Sequence, residues 1–208
     1  MAFILLPCLA NTIVYIMKLA LLLLFLASYG WAQQTELPYR QIPDYPSHYS
    51  ATTVTARMID GLGFRYYWAT DGLRPEDLSY RANGDARTAL ETLIHIYELS
   101  TIILNSVNQK ATTSEKTPSL TFAELRQKTL ENLKATSDKL MVSKDEDLVT
   151  YNMVFKRDTG TREFPFWNEI NGPIADALWH TGQVVSLRRS SGNPFNSKVN
   201  VLVGKLMD

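Results

Sequence analysis

Cysteine is nearly missing from this sequence: Cys8 is the only one in 208 residues. It lies in an N-terminal stretch expected to be removed, which would leave the mature chain without thiol or disulfide. That excludes thiol catalysis, cysteine-ligated zinc and redox switching. An excess of either charge is missing as well. Lys plus Arg and Asp plus Glu each number 21, and the longest basic cluster is Arg188-Arg189. Without a basic stripe, no nucleic-acid partner is expected. Internal repeats and low-complexity tracts are absent. So are the phosphate loop, the dinucleotide fingerprint and the GxSxG nucleophile motif. Histidine is scarce, at 3 residues, so each can be weighed individually.

What the chain does have is enough apolar residue, 45%, to fill one core and build one domain. Its longest apolar run extends from Phe3 to Trp31, broken mainly by Asn11, Thr12 and Lys18. Read from Met1 it is a poor signal peptide, because no basic residue precedes the run. Read from Met17 it is a good one. Lys18 then supplies the positive n-region, residues 19–26 the apolar region, and Gly30-Trp31-Ala32 a cleavage site before Gln33. We therefore expect residues 1–32 to be an export signal with its true start at Met17, and the domain to be periplasmic or secreted. The competing reading is an uncleaved membrane anchor. Residues 33–50, with Pro38, Pro43 and Pro46, read as an extended leader, followed by a helical domain at 51–208.

Within that domain the spacing predicts four helices. The first covers about 52–71, with Val54, Met58, Leu62 and Arg65–Tyr66 at helical spacing; Gly61 and Gly63 inside it suit close packing of a neighbouring helix. The second runs from an Asp85 cap to about Asn108, with Ala89, Leu93, Ile96, Leu99 and Ile103 inward. A polar loop, 109–119, leads to the third, opened by a Thr121/Glu124 capping box, with Phe122, Leu125, Leu130, Leu133 and Leu140 inward. Val149, Tyr151, Met153 and Phe155 then alternate up to a turn at Asp158-Thr159-Gly160, which predicts a β-hairpin. The last helix occupies about 166–189, with Pro173 as a kink or as a restart behind an Asn171 cap. Arg188 and Arg189 suit its final turn, and Gly192 a left-handed C-terminal cap. The expected fold is an all-α antiparallel four-helix bundle with a small hairpin inserted before the last helix.

Two polar residues intrude on the last helix. Asp176 and His180 are four apart, hence on one face roughly 6 Å apart, among Ile174, Ala175, Ala177 and Leu178. A carboxylate there needs a partner; a divalent cation, an arginine or solvent would each serve. On the second helix His95 stands between Ile94 and Ile96. Inward side chains from facing helices are how bundles build metal sites, and His95, Asp176 and His180 would form a two-histidine, one-carboxylate triad with open positions. A lone histidine is more often an ordinary hydrogen-bonded residue, so the combination carries the reading. His48, in the proline-rich leader, reads as solvated. Gln183 and Glu98 are placed to orient the two histidines, and Asn171 and Glu169 to line the mouth, although solvated or capping roles suit all four equally. Trp167, Trp179, Tyr97, Trp68 and Tyr67 can wall a pocket or simply fill the core.

The run ADALWHTGQVVSLRR, residues 175–189, resembles the last-helix signature of the DinB / YfiT-like family, in which His-x-x-x-His precedes a Gly-Gln pair and a basic end. LIHIYEL, residues 93–99, resembles that family's second-helix ligand site. The resemblance covers most of 52–189. It implies a four-helix bundle with a three-ligand metal site, His95 and His180 matching two family histidines and Asp176 standing where a third is usual. The carboxylate makes such a site harder and less selective, open to zinc, nickel, iron or manganese. The function expected is a metal-dependent hydrolase or group transferase acting on an unidentified small molecule. Export disfavours a cytosolic thiol cosubstrate and so tilts the reading to hydrolysis. The competing class is a non-catalytic metal- or ligand-binding module of the cell envelope. A homodimer stays open, and membrane contact is expected only if the N-terminal segment is uncleaved.

Overall fold

A computed structural model describes residues 16–19, 36–115 and 118–207. The signal-peptide reading therefore lies almost wholly outside the described residues. No helix among the described residues is long and apolar enough to cross a membrane. The chain divides into two units after Glu36, and the fold below is that of the second.

Four long helices form its centre. Helix α1 (Ala51–Thr70) opens on Ser50, whose hydroxyl accepts from the Thr53 amide. After the short α2 (Pro75–Ser79), α3 (Ala89–Val107) opens on Thr88 with Glu91 completing the capping box. The cap is thus not Asp85: only Thr88 has a carboxylate three residues ahead to return the bond. Helix α4 (Phe122–Val142) opens on the expected Thr121/Glu124 box. The last helix is α6 (Ala175–Ser190). The expected inward residues of α3 are buried, as are the leucines of α4. On α1 the expected stripe holds in part: Leu62 and Tyr66 are buried, but Val54 and Met58 are exposed, and Ala56 and Ile59 point inward.

Side-chain bonds reveal the helix directions. Thr52, at the start of α1, donates to Asp145 just beyond α4, while Arg126 in the first turn of α4 donates to Thr70 at the end of α1. These two helices are antiparallel. Arg188, late in α6, donates to the Trp68 and Ala69 carbonyls late in α1 (3.1 and 3.0 Å), so α1 and α6 run the same way. Early residue Thr92 of α3 shares a groove with late residues Gln183 and Ser186 of α6, so these two oppose. It follows that α3 and α4 are parallel, and the segment joining them must travel back along α3. It does: residues 111–115 line a groove with Tyr97, Thr101 and Asn105.

The expected all-α antiparallel bundle is therefore corrected twice. The helices include parallel neighbours, and the returning segment is not a plain polar loop. Its strand β1 (Ala111–Thr112) pairs in parallel with β2 (Met153–Arg157), which pairs antiparallel with β3 (Gly160–Phe164), giving a three-stranded mixed sheet. The hairpin sits where the alternation predicts it, but it starts at Met153. Val149 lies in a 3-10 turn (Asp145–Thr150), and Tyr151 is buried beyond it. A second, two-stranded ribbon, β4 (Val199–Asn200) and β5 (Lys205–Leu206), follows Pro194, where no structure was expected.

The leader is extended and also part of the core. Tyr39 and Ile42 are buried. Tyr39 lies flat over Gly63, where a Cβ would run into its ring, and its hydroxyl donates to buried Asp60 at 3.0 Å. Gly63 does permit close packing, but by the leader rather than by a helix. Ile42 donates its amide to the Gly204 carbonyl of the C-terminal ribbon at 2.9 Å.

Candidate metal centre

The last helix is assembled in three pieces, and this decides where its polar residues point. Helix α5 (Phe166–Glu169) widens into a π turn (Ile170–Ile174), and α6 then begins at Ala175. Gly172 breaks the helical backbone at φ −97°, ψ −107°, ahead of Pro173, which has no amide hydrogen to give the ladder. The continuous helix with a kink, and the restart behind an Asn171 cap, are both replaced by this bulge. No side chain caps α6.

Asp176, in the first turn of α6, faces His95 across the α3–α6 seam. Its two oxygens are divided between the two imidazoles: Oδ2 lies 3.2 Å from His95 Nε2, and Oδ1 lies 3.3 Å from His180 Nε2. The rings meet edge to face, with centroids 4.7 Å apart and planes at 81°. One ligand atom from each residue lies within 4.8 Å of the other two, a cluster that can hold a metal ion. Donors around a transition metal with bonds of about 2.1 Å stand roughly 3–3.5 Å apart. The two carboxylate–imidazole spacings fall in that range when each imidazole is paired with its own carboxylate oxygen, and one atom from each residue comes within 4.8 Å of the others, so an ion requires a modest closure.

Protonation sharpens this. His180 Nδ1 is 2.8 Å from Gln183 Oε1. A carbonyl oxygen only accepts, so Nδ1 holds the proton and Nε2 turns its lone pair toward Asp176. A lone pair facing a carboxylate oxygen at 3.3 Å is repulsive unless a cation or a second proton lies between them. His95 Nε2 lies within hydrogen-bond distance of Asp176 Oδ2, at 3.2 Å, whereas its Nδ1 is 3.9 Å from Glu98 Oε2, too long for a hydrogen bond. Both imidazoles thus present Nε2 to the same carboxylate. The triad sits at the rim of the core: Leu93, Ile96 and Ala177 on the same two helices are buried, while the three polar residues are partly exposed. Asp176 is 43% exposed, so coordination positions on its side are open to solvent.

The structure brings together His95, Asp176 and His180, with Gln183 against one histidine and Glu98 beside the other. Asn171 is exposed on the π turn, and no hydrogen bond joins it to the triad among the described residues. Glu169 does not line a mouth. It is enclosed beneath α3, at 0% exposure. Tyr67 and Trp68 fill the core, whereas Trp167 and Trp179 stand out in solvent. His48 is a surface residue whose ring lies 3.2 Å from Ser47 Oγ and whose carbonyl accepts from Thr53 at 3.1 Å. Two grooves flank the centre. One, of about 660 Å³, includes Tyr97, Glu98 and Arg157; the other, of about 410 Å³, includes His180, Gln183, Thr92 and Arg87. Thr92 and Ser186 were legible as neighbours of the site, being one turn from His95 and from Gln183, but they were not singled out. No family profile, no curated protein and no solved structure matches the chain.

Proposed function

We propose that this protein is a metal-dependent enzyme, a hydrolase in preference to a group transferase, holding one divalent transition metal on His95, Asp176 and His180. The observation that carries the reading is the convergence of two imidazole Nε2 atoms on the two oxygens of one carboxylate, at 3.2 and 3.3 Å. When bound, such an ion supplies Lewis acidity, polarising a substrate oxygen or lowering the pKa of a water. The chain's own residues do the rest. Gln183 holds the tautomer of His180 so that this ring donates from Nε2, and Glu98 stands beside His95 Nδ1, where it would attract that nitrogen's proton once Nε2 ligates the ion. Glu98 is itself 48% exposed, beside the larger groove, and is placed to take up or release a proton there. The carboxylate at 176 makes the donor set suitable for iron and manganese as well as zinc and nickel. Kinship with the DinB / YfiT-like proteins belongs to the same proposal and rests on His95 and His180, which stand where two family histidines are expected, Asp176 being the departure. Export across the cytoplasmic membrane belongs to the same proposal and rests on the segment from Lys18 to Ala32.

A non-catalytic metal-binding module is the second reading. It is favoured by the scarcity of acid–base groups: beyond the triad, Glu98 is the ionisable side chain placed at its edge, and it stands 3.9 Å from His95. Elemental analysis of the purified protein tests the centre itself. The parent is expected to carry about one transition-metal equivalent and the His95→Ala variant far less, with unchanged helical content. Equal content in both would reject the assignment. Hydrolytic turnover abolished by a chelator and restored by the ion would favour the enzyme over the module.

A further inference from the structure

Glu169 is the last residue of α5, at the point where the helix widens. Its side chain is fully enclosed, and neither carboxylate oxygen has a hydrogen-bond partner among the described residues. An ionised carboxylate is not sustained in such surroundings. Burial pushes its pKa up to about 8, so it is uncharged at neutral pH. Among the described residues, the one polar side chain bearing on it is the Ser106 hydroxyl, which is committed to the Ile103 carbonyl at 3.2 Å. The surrounding elements bring no charge to it. Residues 100–107 of α3 include no ionisable side chain. Lys156 and Arg157 of β2, and Asp145 and Glu146 of the 3-10 turn, are exposed, and Asp147 is half-buried; none of them bears on the Glu169 carboxyl. On α6 the nearest ionisable residue in sequence is Asp176.

The π turn explains why this carboxyl is inside while Asp176 is outside. Residues seven apart on an unbroken α-helix share a face, because seven steps of about 100° nearly close two turns. Glu169 and Asp176 are seven apart, yet one faces the core and the other the metal rim. The extra residue of the π turn rotates everything after it by about 100° and so separates the two directions. Aiming Asp176 at His95 and burying Glu169 are one structural event.

We propose that Glu169 is a positioning residue of the metal centre: packed uncharged beneath α3, it holds the π turn closed, and the closed turn aims Asp176 at His95 and His180. This rests on the metal centre proposed above. A charge on Glu169 draws it toward water, opens the turn at Gly172 and carries Asp176 away from its partners. Metal retention then weakens on the alkaline side, where deprotonation of ligands alone only strengthens it.

The test is zinc affinity of the full chain between pH 6 and 9, measured by competition with a chromophoric chelator, for the parent and Glu169→Gln. At pH 7 the two are expected to agree. The variant's affinity keeps rising to a plateau, whereas the parent passes a maximum below pH 8. By pH 9 the parent is weaker than the variant by about tenfold, because only about a tenth of it retains the uncharged carboxyl. Superimposable curves through pH 9 overturn the proposal. So does a Glu169→Gln variant that has lost affinity at pH 7 with its helical content intact. A second measurement stands apart from the metal: hydrogen exchange of amides 170–176 in metal-free protein, corrected for intrinsic rates. Protection that falls above pH 8 in the parent but not in Glu169→Gln supports the hold of Glu169 on the turn. Equal protection in both overturns it, whether or not zinc binds. Absence of zinc binding by either protein at any pH would remove the metal centre alone.

Discussion

His180 owes its usefulness as a ligand to the residue one turn further on. Gln183 fixes the proton on Nδ1 through a 2.8 Å contact and so leaves Nε2 as the donor toward Asp176. Replacing it with leucine removes that constraint without touching the core, since Gln183 is exposed. Gln183→Leu is expected to weaken metal affinity by about 10–100-fold, the usual effect of losing such an orienting partner, with the circular dichroism spectrum unchanged. Chelator competition against the parent checks it; an unaltered affinity would mean that Gln183 is only a surface residue. Much at this scale was legible in the sequence. The i,i+4 pair Asp176/His180 and its position one turn before Gln183 follow from helical geometry alone. Glu169 was legible as a nearby carboxylate but not as a buried one. Its direction depends on an extra backbone residue in the turn, which side-chain spacing does not reveal.

At the scale of elements, α2 and the end of α6 are joined through one carboxylate. Asp77 accepts from the Arg74 side chain (2.8 and 3.0 Å), from Ser191 (2.6 Å) and from Asn193 (2.7 Å). The Arg74 guanidinium, opposed by the cost of desolvation and aided by Ser191 and the Arg74 amide, holds its pKa well below the usual carboxylate range. Shielded from solvent at 0% exposure, it is surrounded by donors rather than hydrocarbon, so the donors prevail. Beside it Arg188 is buried and satisfies two carbonyls at the end of α1. Its expected role, complementing its own helix's dipole, is thereby transferred to a neighbouring helix. Because the folded-state pKa is depressed, the stability this carboxylate supplies is present above about pH 4 and is lost as pH falls toward the folded value. Asp77→Asn is expected to lower stability at pH 7 by about 2–4 kcal/mol and to flatten the acid limb of the thermal midpoint between pH 5 and 2. A variant whose acid limb stays as steep as the parent's would contradict this. Caps were readable where both partners are local, as at Thr121 and Glu124. The inward face of α1 was legible only in part: Leu62 and Tyr66 lie on it, but small residues such as Ala56, Gly63 and Thr55 share it, and Val54 and Met58 point outward.

Over the whole molecule, the connection between α3 and α4 decides the architecture. Parallel neighbours require a crossover as long as a helix, and that crossover contributes a strand only two residues long. No local pattern announces a two-residue strand whose partner lies 43 positions away, from Ala111 to Val154. The same topology brings His95 beside Asp176 across 81 positions of sequence, so an ion bound there would lock α3 to α6 and select the native arrangement over the unfolded chain. X-ray absorption at the metal edge of the loaded full-length protein tests this convergence most directly. The expected spectrum contains the multiple scattering of two imidazoles together with a carboxylate oxygen, all at about 2.0–2.2 Å, and loses one imidazole in His95→Ala. A first shell of oxygen alone, or one indifferent to the residue at 95, would contradict it.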